Sequence, residues 1–390
     1  MKDRLGNHIQ QVRGVSYKPS DLSENLSDGY TVLLRANNIS EGRINFDSVQ
    51  FVRNNKISQE QILKTNDILV CSSSGSISLV GKSALYKKSG EHTFGAFCKV
   101  VRATGKLHPQ FIAFYMCSQA YRKHIEHIAN GANINNLRNE HLDEIQLDIP
   151  TDDQQKVIVS KLEKIQSIIT HRRTQLFKLD ELIKCRFVEL FGDQKMNPYG
   201  WPQTTVGNCC ILKSGTSLPA DKENEGGTIP YVKVSDMNYP GNEHYITTSS
   251  RFVTEQTAGV GVFPVGTVIF PKRGGAIGTN KKRLTKLPIC ADLNVMGVIA
   301  GSNLASQYLM AYFDMIDLGA LDNGSSVPQI NNKDIAPLPI CTPPIELQEQ
   351  FAAFVEKADK FKFACFFFQL ITVLQKIIIF FRNFLICFLF

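Results

Sequence analysis

Residues 145–155 read Ile-Gln-Leu-Asp-Ile-Pro-Thr-Asp-Asp-Gln-Gln, and residues 338–348 read Leu-Pro-Ile-Cys-Thr-Pro-Pro-Ile-Glu-Leu-Gln. In both stretches an apolar run ends at a proline, Pro150 or Pro343, and a glutamine stands five residues further on. The two prolines are 193 residues apart. A proline before polar helix-forming residues is typical of a helix N-terminus. The repetition therefore predicts that one unit, a domain followed by a helix, occurs twice.

Further matches extend this repeat toward the N-terminus at offsets of 200 and 201 residues. They are Asp67-Ile68-Leu69 with Thr267-Val268-Ile269, Gly75-Ser76-Ile77 with Gly275-Ala276-Ile277, and Leu5-Gly6-Asn7 with Val206-Gly207-Asn208. The offset drifts by a few residues, as loop insertions would cause. Because the period is far longer than that of a solenoid repeat, we interpret the chain as a duplicated two-part module.

Each half combines short β-rich runs with short helical patterns, so we predict an α+β fold. The predicted strands are Tyr30–Leu34, Asp67–Val70, Phe97–Val101, Ile229–Val232 and Gly266–Phe270. The predicted short helices are Pro109–Met116 and Ser306–Tyr312.

A long helix is predicted from about residue 152 to 191, roughly 60 Å at 1.5 Å per residue. Thr151 and Gln154 have the spacing of a capping box at its start. Apolar residues then recur at coiled-coil spacing, and the predicted seam is Leu162, Ile165, Ile169, Leu176, Leu179, Ile183, Phe187 and Leu190. Such a helix needs a partner helix to cover this seam, and the second copy after Pro343-Pro344 supplies one. We therefore expect the two helices to pair.

The composition restricts the function classes. The chain has 390 residues, of which 43% are hydrophobic, and its formal net charge is +7. This charge permits a polyanionic partner without requiring one. The ten cysteines form no Cys-x-x-Cys motif, so we expect reduced, mostly buried thiols in a cytosolic protein. The first eight residues contain no apolar segment of a secretory signal.

The order of these features resembles the specificity subunit of type I restriction-modification systems. The resemblance rests on the proline–glutamine stretches at 149–155 and 340–348 and on the junction 187–202, which includes Asn197-Pro198-Tyr199-Gly200-Trp201-Pro202. The resemblance implies tandem target recognition domains, each followed by a helix. The implied organisation is target recognition domain 1 at 1–150, a helical spacer at 151–192, a linker at 193–202, target recognition domain 2 at 203–342, and a C-terminal helical region at 343–390.

The resemblance also implies a non-catalytic role. Each domain would read one half of a split, asymmetric site in double-stranded DNA. The two helices would pair as an antiparallel coiled coil that fixes the distance between the halves. Methyltransferase subunits would dock on the chain, and restriction subunits would join the complex in the cytoplasm. S-adenosylmethionine, ATP and Mg²⁺ would be used by those partners, and this chain would bind no cofactor and no metal.

Polar and basic side chains in equivalent loops are the candidate DNA contacts, because base edges are read by Arg, Lys, Asn and Gln. In the first half they are Arg35, Asn37, Asn38, Ser72, Ser74, Lys82 and Lys87. In the second half they are Lys233, Ser235, Lys272, Arg273, Asn280, Lys281, Lys282 and Arg283. The run 266–288 carries six basic residues and no acidic one. A solvated basic hairpin is the alternative interpretation of that run.

Enzymatic signals are incomplete. Gly75 to Lys82 has one residue too many for a phosphate-binding loop. Asn197-Pro198-Tyr199 lacks the second proline of an amino-methyltransferase loop. Asp152 and Asp153 lack the spacing of a nuclease cluster, and acidic residues are typical of a helix N-terminus. His124 and His127 could pair on a metal, but no third ligand lies nearby. We therefore expect no catalytic site in the chain.

The C-terminus departs from the family pattern, because residues from about 363 onward are rich in phenylalanine and carry few charges. This end suggests a changed reading frame and a silenced specificity subunit as one alternative. Another is a non-catalytic two-module scaffold, or a membrane-associated interaction protein that touches lipid through the tail. A membrane anchor is the weaker interpretation, since an uncharged run of about 20 residues is needed.

Overall fold

The structure is a computed structural model that describes residues 2–88, 90–132, 136–321 and 328–363. The chain divides into two compact units, Met1–Ile168 and Ile169–Phe390, which we call unit 1 and unit 2. The Phe-rich stretch that begins near residue 363 lies outside the described residues from 364 onward, and so do the alternatives that depend on it. The domain boundaries given above stay predictions.

Unit 1 is built from short strands and helices in mixed order. Its strands are β1 (Lys2–Arg4), β2 (Ile9–Arg13), β3 (Leu22–Ser23), β4 (Tyr30–Leu34), β5 (Ile39–Ser40), β6 (Arg43–Ile44), β7 (Gln50–Arg53), β8 (Ile68–Cys71), β9 (Ser83–Leu85), β10 (His92–Phe94), β11 (Cys98–Ala103) and β12 (Gln146–Asp148). Its helices are α1 (Pro109–Met116), α2 (Gln119–Ala132), α3 (Glu140–Asp143) and the first part of α4 (Asp152–Phe191).

The strand order of unit 1 places one sheet between helices and a second sheet. The central sheet has the order β2-β11-β8-β9, and the outer sheet has the order β10-β4-β7-β3. Along β8, Ile68 and Val70 belong to the apolar cluster that includes α1 and α2. Leu69 points to the opposite face, into the cluster shared with the outer sheet. Successive side chains alternate across a strand, so the apolar run 68–71 is buried on both faces.

Unit 2 is built from a similar series of short strands and helices. Its strands are β13 (Gln203–Thr205), β14 (Cys210–Ser214), β15 (Ile229–Val232), β16 (Tyr245–Ile246), β17 (Phe252–Val253), β18 (Val262–Phe263), β19 (Val268–Pro271), β20 (Arg283–Thr285), β21 (Ile289–Ala291), β22 (Val295–Ala300) and β23 (Pro339–Cys341). Its helices are α5 (Val206–Cys209), α6 (Glu255–Ala258), α7 (Ser306–Asp314), α8 (Asn332–Ile335), the remainder of α4, and α9 at 345–363.

The sheets of the two units correspond. The order β14-β22-β19-β20 matches β2-β11-β8-β9, and the parallel pair β15 with β21 matches β4 with β10. The strand pairs β1–β12 and β13–β23 match as well. The prediction of two tandem α+β domains is therefore confirmed.

Several predicted strands begin one or two residues later than expected. The carboxylate of Asp67 accepts the backbone N–H of Lys64 at 2.8 Å and forms an ion pair with Arg102, which fixes Asp67 in the turn before β8. Phe97 belongs to the turn before β11. The long helix α4 begins and ends where the sequence predicts, and Thr151 and Gln154 form the reciprocal capping bonds at its start.

Within unit 2, the end of α4 packs against α9. The ring of Phe351 lies 5.5 Å from that of Phe187 and 5.6 Å from that of Phe191, centroid to centroid. Lys362 forms a 2.8 Å ion pair with Asp180. Moving backward along α4 therefore corresponds to moving forward along α9, so the two segments run antiparallel. Of the predicted seam, Phe187 is buried and the other members are half-buried, from Leu162 to Leu190. A coiled coil along the full seam stays a prediction.

In each unit a buried glutamine, Gln155 or Gln348, connects the start of the long helix to its domain by hydrogen bonds. The side chain of Gln155 is buried; it accepts the N–H of His108 at 2.9 Å and donates to the carbonyls of Lys106 and Pro150. Gln348 makes the same three bonds with Ala305, Asn303 and Pro343. Because buried backbone groups need partners, this arrangement explains why a glutamine recurs five residues after each proline.

None of the helices in the described ranges is both long and apolar enough to cross a membrane.

Candidate nucleic-acid interface

A cleft of about 490 Å³ opens in unit 1 where three loops meet at the ends of strands β4, β8 and β10. We call it cleft 1. Its lining consists of Tyr17, Arg35, Ala36, Asn37, Ser73, Ser74, Gly75, Gly95, Phe97 and Cys98. Three of the predicted contacts, Arg35, Asn37 and Ser74, thus come together in one place although they are distant in sequence.

The walls of cleft 1 are held by backbone bonds. The N–H of Ser72 donates to the carbonyl of Phe97 at 2.9 Å, and the carbonyl of Ser72 accepts the N–H of Leu137 at 2.6 Å. Ser73 forms an isolated β-bridge with Asn136. The loop after β8 is therefore fixed on both sides, and its side chains are positioned by the sheet.

Asn38 and Ser72 are structural, contrary to prediction. Asn38 is 1% exposed; its Oδ1 accepts the N–H of Arg35 at 2.8 Å, and its Nδ2 donates to the carbonyls of Asn45 and Ser48, both at 2.9 Å. Ser72 is buried under the loop that it anchors. Neither side chain is free to reach a base edge, because shaping the loop already uses the amide of Asn38 and buries Ser72.

Arg35 is the cation of cleft 1. Its Nε is buried and has no hydrogen-bond partner among the described residues. A buried donor without a partner is unfavourable, and a phosphate or a base acceptor in the cleft would satisfy it. Asn37 is exposed beside it, while the hydroxyl of Ser74 accepts the N–H of Ser76 at 3.2 Å.

The predicted lysines of unit 1 lie elsewhere. Lys82 is half-buried, and its Nζ approaches the carbonyl of Ile39 at 3.5 Å. Lys87 is exposed and lines a different cavity of about 470 Å³ with Phe46 and Tyr86. The structure does not place these two lysines among the residues that line cleft 1.

Unit 2 has an equivalent set of loops with the same backbone bonds, which we call loop set 2 (residues 233–235, 272–275 and 294). The N–H of Lys233 donates to the carboxylate of Asp236 at 2.8 Å, as Arg35 does to Asn38. The N–H of Lys272 donates to the carbonyl of Asn294 at 2.8 Å, as Ser72 does to Phe97. Arg273 is bridged to Gln329 as Ser73 is to Asn136. The two units therefore share one framework for these loops.

The exposed side chains of loop set 2 are those of Arg273 and Ser235. A Cβ built on Gly274 or Gly275 would meet nothing within 4 Å, and Gly274 adopts a φ of 73° that favours glycine. The backbone beside Arg273 is thus open to a close approach by a ligand. Lys233 is half-buried and paired with Glu223 at 2.6 Å.

Lys272 and Lys282 of the basic hairpin point inward, so neither a solvated hairpin nor a DNA contact describes these two residues. Lys272 is 8% exposed and donates to the hydroxyl of Ser214 at 2.8 Å, and burial lowers its pKa. Lys282 is 4% exposed and donates to the carbonyl of Ile316 at 2.6 Å and to Asn280 Oδ1 at 2.8 Å. Burial lowers the pKa of Lys282 to about 8. These cations hold loops together, because their amines are needed by buried carbonyl and hydroxyl oxygens.

The remaining hairpin residues are also engaged within unit 2. Arg283 is half-buried and donates to the carbonyls of Lys282 and Met237 at 2.7 and 3.1 Å. Lys281 donates to the side-chain oxygen of Asn238. Asn280 is exposed, but its Oδ1 also accepts the N–H of Leu318 at 2.9 Å.

Sequence reasoning did not select Phe97 or Asn294, which occupy equivalent places in the two loop frameworks. Phe97 had been assigned to a strand, where its side chain would be expected to pack inside. The signal that would have found these residues is the repeat itself, since an offset of 197 residues aligns Phe97 with Asn294 and an offset of 200 aligns Ser73 with Arg273.

Comparison with known proteins gives consistent matches. The family model described as "Type I restriction modification DNA specificity domain" matches residues 16–178 and 198–365. The StySPI specificity subunit of Salmonella potsdam is 30% identical over 256 residues, which cover 62% of this chain and 55% of that protein. The EcoKI specificity subunit of Escherichia coli K12 is 36% identical over 173 residues, which cover 44% of this chain and 37% of that protein. The chain thus matches about half the length of these relatives or less.

Solved structures share the fold. The S subunit of a type I restriction-modification system from M. genitalium matches with a TM-score of 0.55 and 14% identity, covering 96% of this chain and 93% of that one. A chain from a structural study of type I system assembly and conformational transition matches with a TM-score of 0.52 and 17% identity, covering 96% and 94%. Since the family model matches both copies of the repeat and most of the sequence, the chain belongs to the type I restriction modification DNA specificity domain family.

Proposed function

We propose that this chain is the DNA-reading specificity subunit of a type I restriction-modification complex, with each unit reading one part of a two-part DNA site. The observation that carries the proposal is that two loop frameworks with the same backbone bonds present different side chains. Ser73 in unit 1 corresponds to Arg273 in unit 2, and Phe97 corresponds to Asn294. A shared framework with different contacts suits two different half-sites.

The chemistry of the exposed groups fits DNA. An arginine can donate two parallel bonds to guanine O6 and N7, and asparagine can pair with adenine. Arg273 beside two glycines and Asn37 beside Arg35 are groups of these kinds. Phosphate contacts from neighbouring cations would set the register without reading sequence.

The remainder of the complex is part of the same proposal. Methyltransferase subunits would dock on the helices, and restriction subunits would join them. The part of α4 in unit 2 carries the exposed apolar side chains of Phe177 and Val188, which share one face of the helix because they are three turns apart. Helices use apolar faces of this kind to bind partners. S-adenosylmethionine, ATP and Mg²⁺ would be used by those partners, in the cytoplasm where DNA and cofactors are available.

The test is methylome sequencing of cells that express the cognate modification subunit with and without this chain. We expect methyladenine on a split, asymmetric motif only when the chain is present. Co-purification of the two subunits is the control for assembly. An assembled complex that leaves no mark, or marks that persist without the chain, would contradict the proposal.

A further inference from the structure

Phe97 is the exposed aromatic side chain of cleft 1. It is 64% exposed, whereas Phe94 and Cys98 on either side of its turn are buried. A single exposed apolar residue is ordinary on a protein surface. Phe97, however, lines the same cleft as Arg35.

The turn that carries Phe97 is fixed. Its carbonyl accepts the N–H groups of Ser72 at 2.9 Å and Ser73 at 3.1 Å. The N–H of Cys98 closes the turn on Gly95 at 2.8 Å. The aromatic ring is therefore presented from a rigid backbone at the mouth of cleft 1, which is what a reading group requires.

The fold does not require an aromatic ring at this position. In unit 2 the carbonyl of Asn294 accepts the N–H of Lys272 at 2.8 Å, the same bond that Phe97 makes with Ser72. The amide of Asn294 bonds to Asp292 Oδ1 at 2.6 Å. The bond that the two positions share is made by the backbone, so the framework accepts an asparagine or a phenylalanine side chain here.

The surroundings of Phe97 suit DNA. None of the residues that line cleft 1 is acidic, and Arg35 contributes a buried Nε that has no partner within the described part of the chain. An apolar ring beside an unsatisfied cation favours a polyanion with an apolar group on its surface. In the major groove of unmodified DNA that apolar group is the C5-methyl of thymine.

We propose that Phe97 determines specificity by contacting the C5-methyl group of a thymine in the half-site that unit 1 reads. This inference rests on the proposed function. It makes Phe97 a contact for one base, distinct from the cations that hold the phosphates.

The test removes the aromatic ring from the protein and, separately, the thymine methyl group from the DNA. A duplex carrying the motif found by methylome sequencing is bound by the chain together with its modification subunit. The half-site of unit 1 is identified as the one whose base preference does not change in the Arg273→Ala variant. Each thymine in it is replaced in turn by deoxyuridine. At one position we expect the Kd of the wild-type complex to rise about fourfold, the effect of leaving one methyl group unburied.

The Phe97→Ala complex should bind the thymine and deoxyuridine duplexes equally, because the methyl group has lost its contact. Phe97→Leu keeps an apolar side chain and should retain part of the discrimination. Thermal unfolding of both variants at the wild-type temperature shows that they are folded. If no deoxyuridine substitution weakens sequence-specific binding, or if Phe97→Ala responds as strongly as wild type, the inference is overturned and the proposed function stands. Absence of sequence-specific binding would overturn both.

Discussion

At the residue scale, the basic run 266–288 contains cations with two different roles. Arg273 is exposed beside glycines, whereas Lys282 is buried and donates to the Ile316 carbonyl and to Asn280. Composition alone does not separate them, because both occur in the same acid-free stretch. Burial and hydrogen-bond partners do: they leave Arg273 exposed and engage Lys282 in holding loops together.

Replacing Arg273 by alanine should weaken binding of the cognate duplex 5- to 100-fold and relax the base preference at one position of the half-site read by unit 2. A good arginine–guanine pair contributes about 1–3 kcal/mol of discrimination. Lys195→Ala, at an exposed position after α4, is the matched loss of a cation and should leave the motif intact. Competition binding with single-base variants measures both. A uniform loss over all sequences would identify Arg273 as a phosphate contact instead.

Replacing Lys282 by methionine should change how stability depends on pH. The pKa of Lys282 is lowered from 10.5 to about 8 in the folded chain. Between pH 8 and 10.5 the unfolded chain binds a proton that the folded chain has released, so raising the pH favours the folded state. Below pH 8 the cost of burying the charge is fully present.

From pH 8 to pH 10, the free energy of unfolding of the wild type should therefore rise relative to that of Lys282→Met, by on the order of 2 kcal/mol. Urea unfolding at pH 7, 8, 9 and 10 measures the difference, with Lys195→Met as the control for removing an exposed lysine. If the difference in free energy of unfolding between wild type and Lys282→Met stays constant over this range, the pKa of Lys282 is not lowered in the folded chain.

At the element scale, the start of each long helix is attached to its domain by one buried glutamine. Gln155 and Gln348 make the same three hydrogen bonds at positions 193 residues apart. The exposed capping residues Thr151 and Gln154 stabilise the α4 terminus only locally. The glutamine ties the helix to the loop before α1 or α7, so it sets where the helix leaves the domain.

Gln155→Leu should destabilise unit 1 by about 3 kcal/mol, because it leaves the His108 N–H and two carbonyls buried without partners. Gln154→Ala removes a neighbouring exposed cap and should cost about 1 kcal/mol or less. Chemical unfolding compares the two variants, and hydrogen exchange should show faster exchange of the His108 amide only in the first. Equal effects would mean that the buried bonds contribute no more than the cap.

At the scale of the whole molecule, duplication provides two loop frameworks on one chain. The sheets β2-β11-β8-β9 and β14-β22-β19-β20 have the same order, and the bridges Ser73–Asn136 and Arg273–Gln329 occupy the same place in each. The side chains on these frameworks differ. A shared backbone with different side chains supports the proposal that the two units read different sequences.

The proposed two-part site predicts a dependence on the spacing of its halves. Inserting five base pairs between them turns one half-site to the opposite face of the duplex, since a turn has about 10.5 base pairs. We expect binding to weaken at least tenfold. A scrambled spacer of unchanged length is the control and should bind as the original does. Unchanged affinity after the insertion would indicate that only one half-site is read at a time.

Much of the fold was predictable because its signals are local. The Pro150 and Pro343 repeats, the Thr151–Gln154 capping box and the apolar seam of α4 depend on residues a few positions apart, and the helix bounds agree with them. The recurrence of these signals revealed the duplication before any contact was known. Arg273 and its glycines were also recognisable, since flexible backbone and a cation are both visible in the sequence.

The direction in which each polar side chain points was decided by tertiary structure alone. Asn38, Lys272 and Lys282 resemble Asn37 and Arg273 in type and position, yet they are buried and bond to backbone and hydroxyl groups of other segments. Ser72 resembles Ser74 and is buried as well. Conversely, Phe97 is apolar but exposed, because its backbone anchors a neighbouring loop and leaves the ring at the mouth of cleft 1. Local sequence cannot specify such orientations, since the groups that require them come from other strands and loops, brought close only by folding.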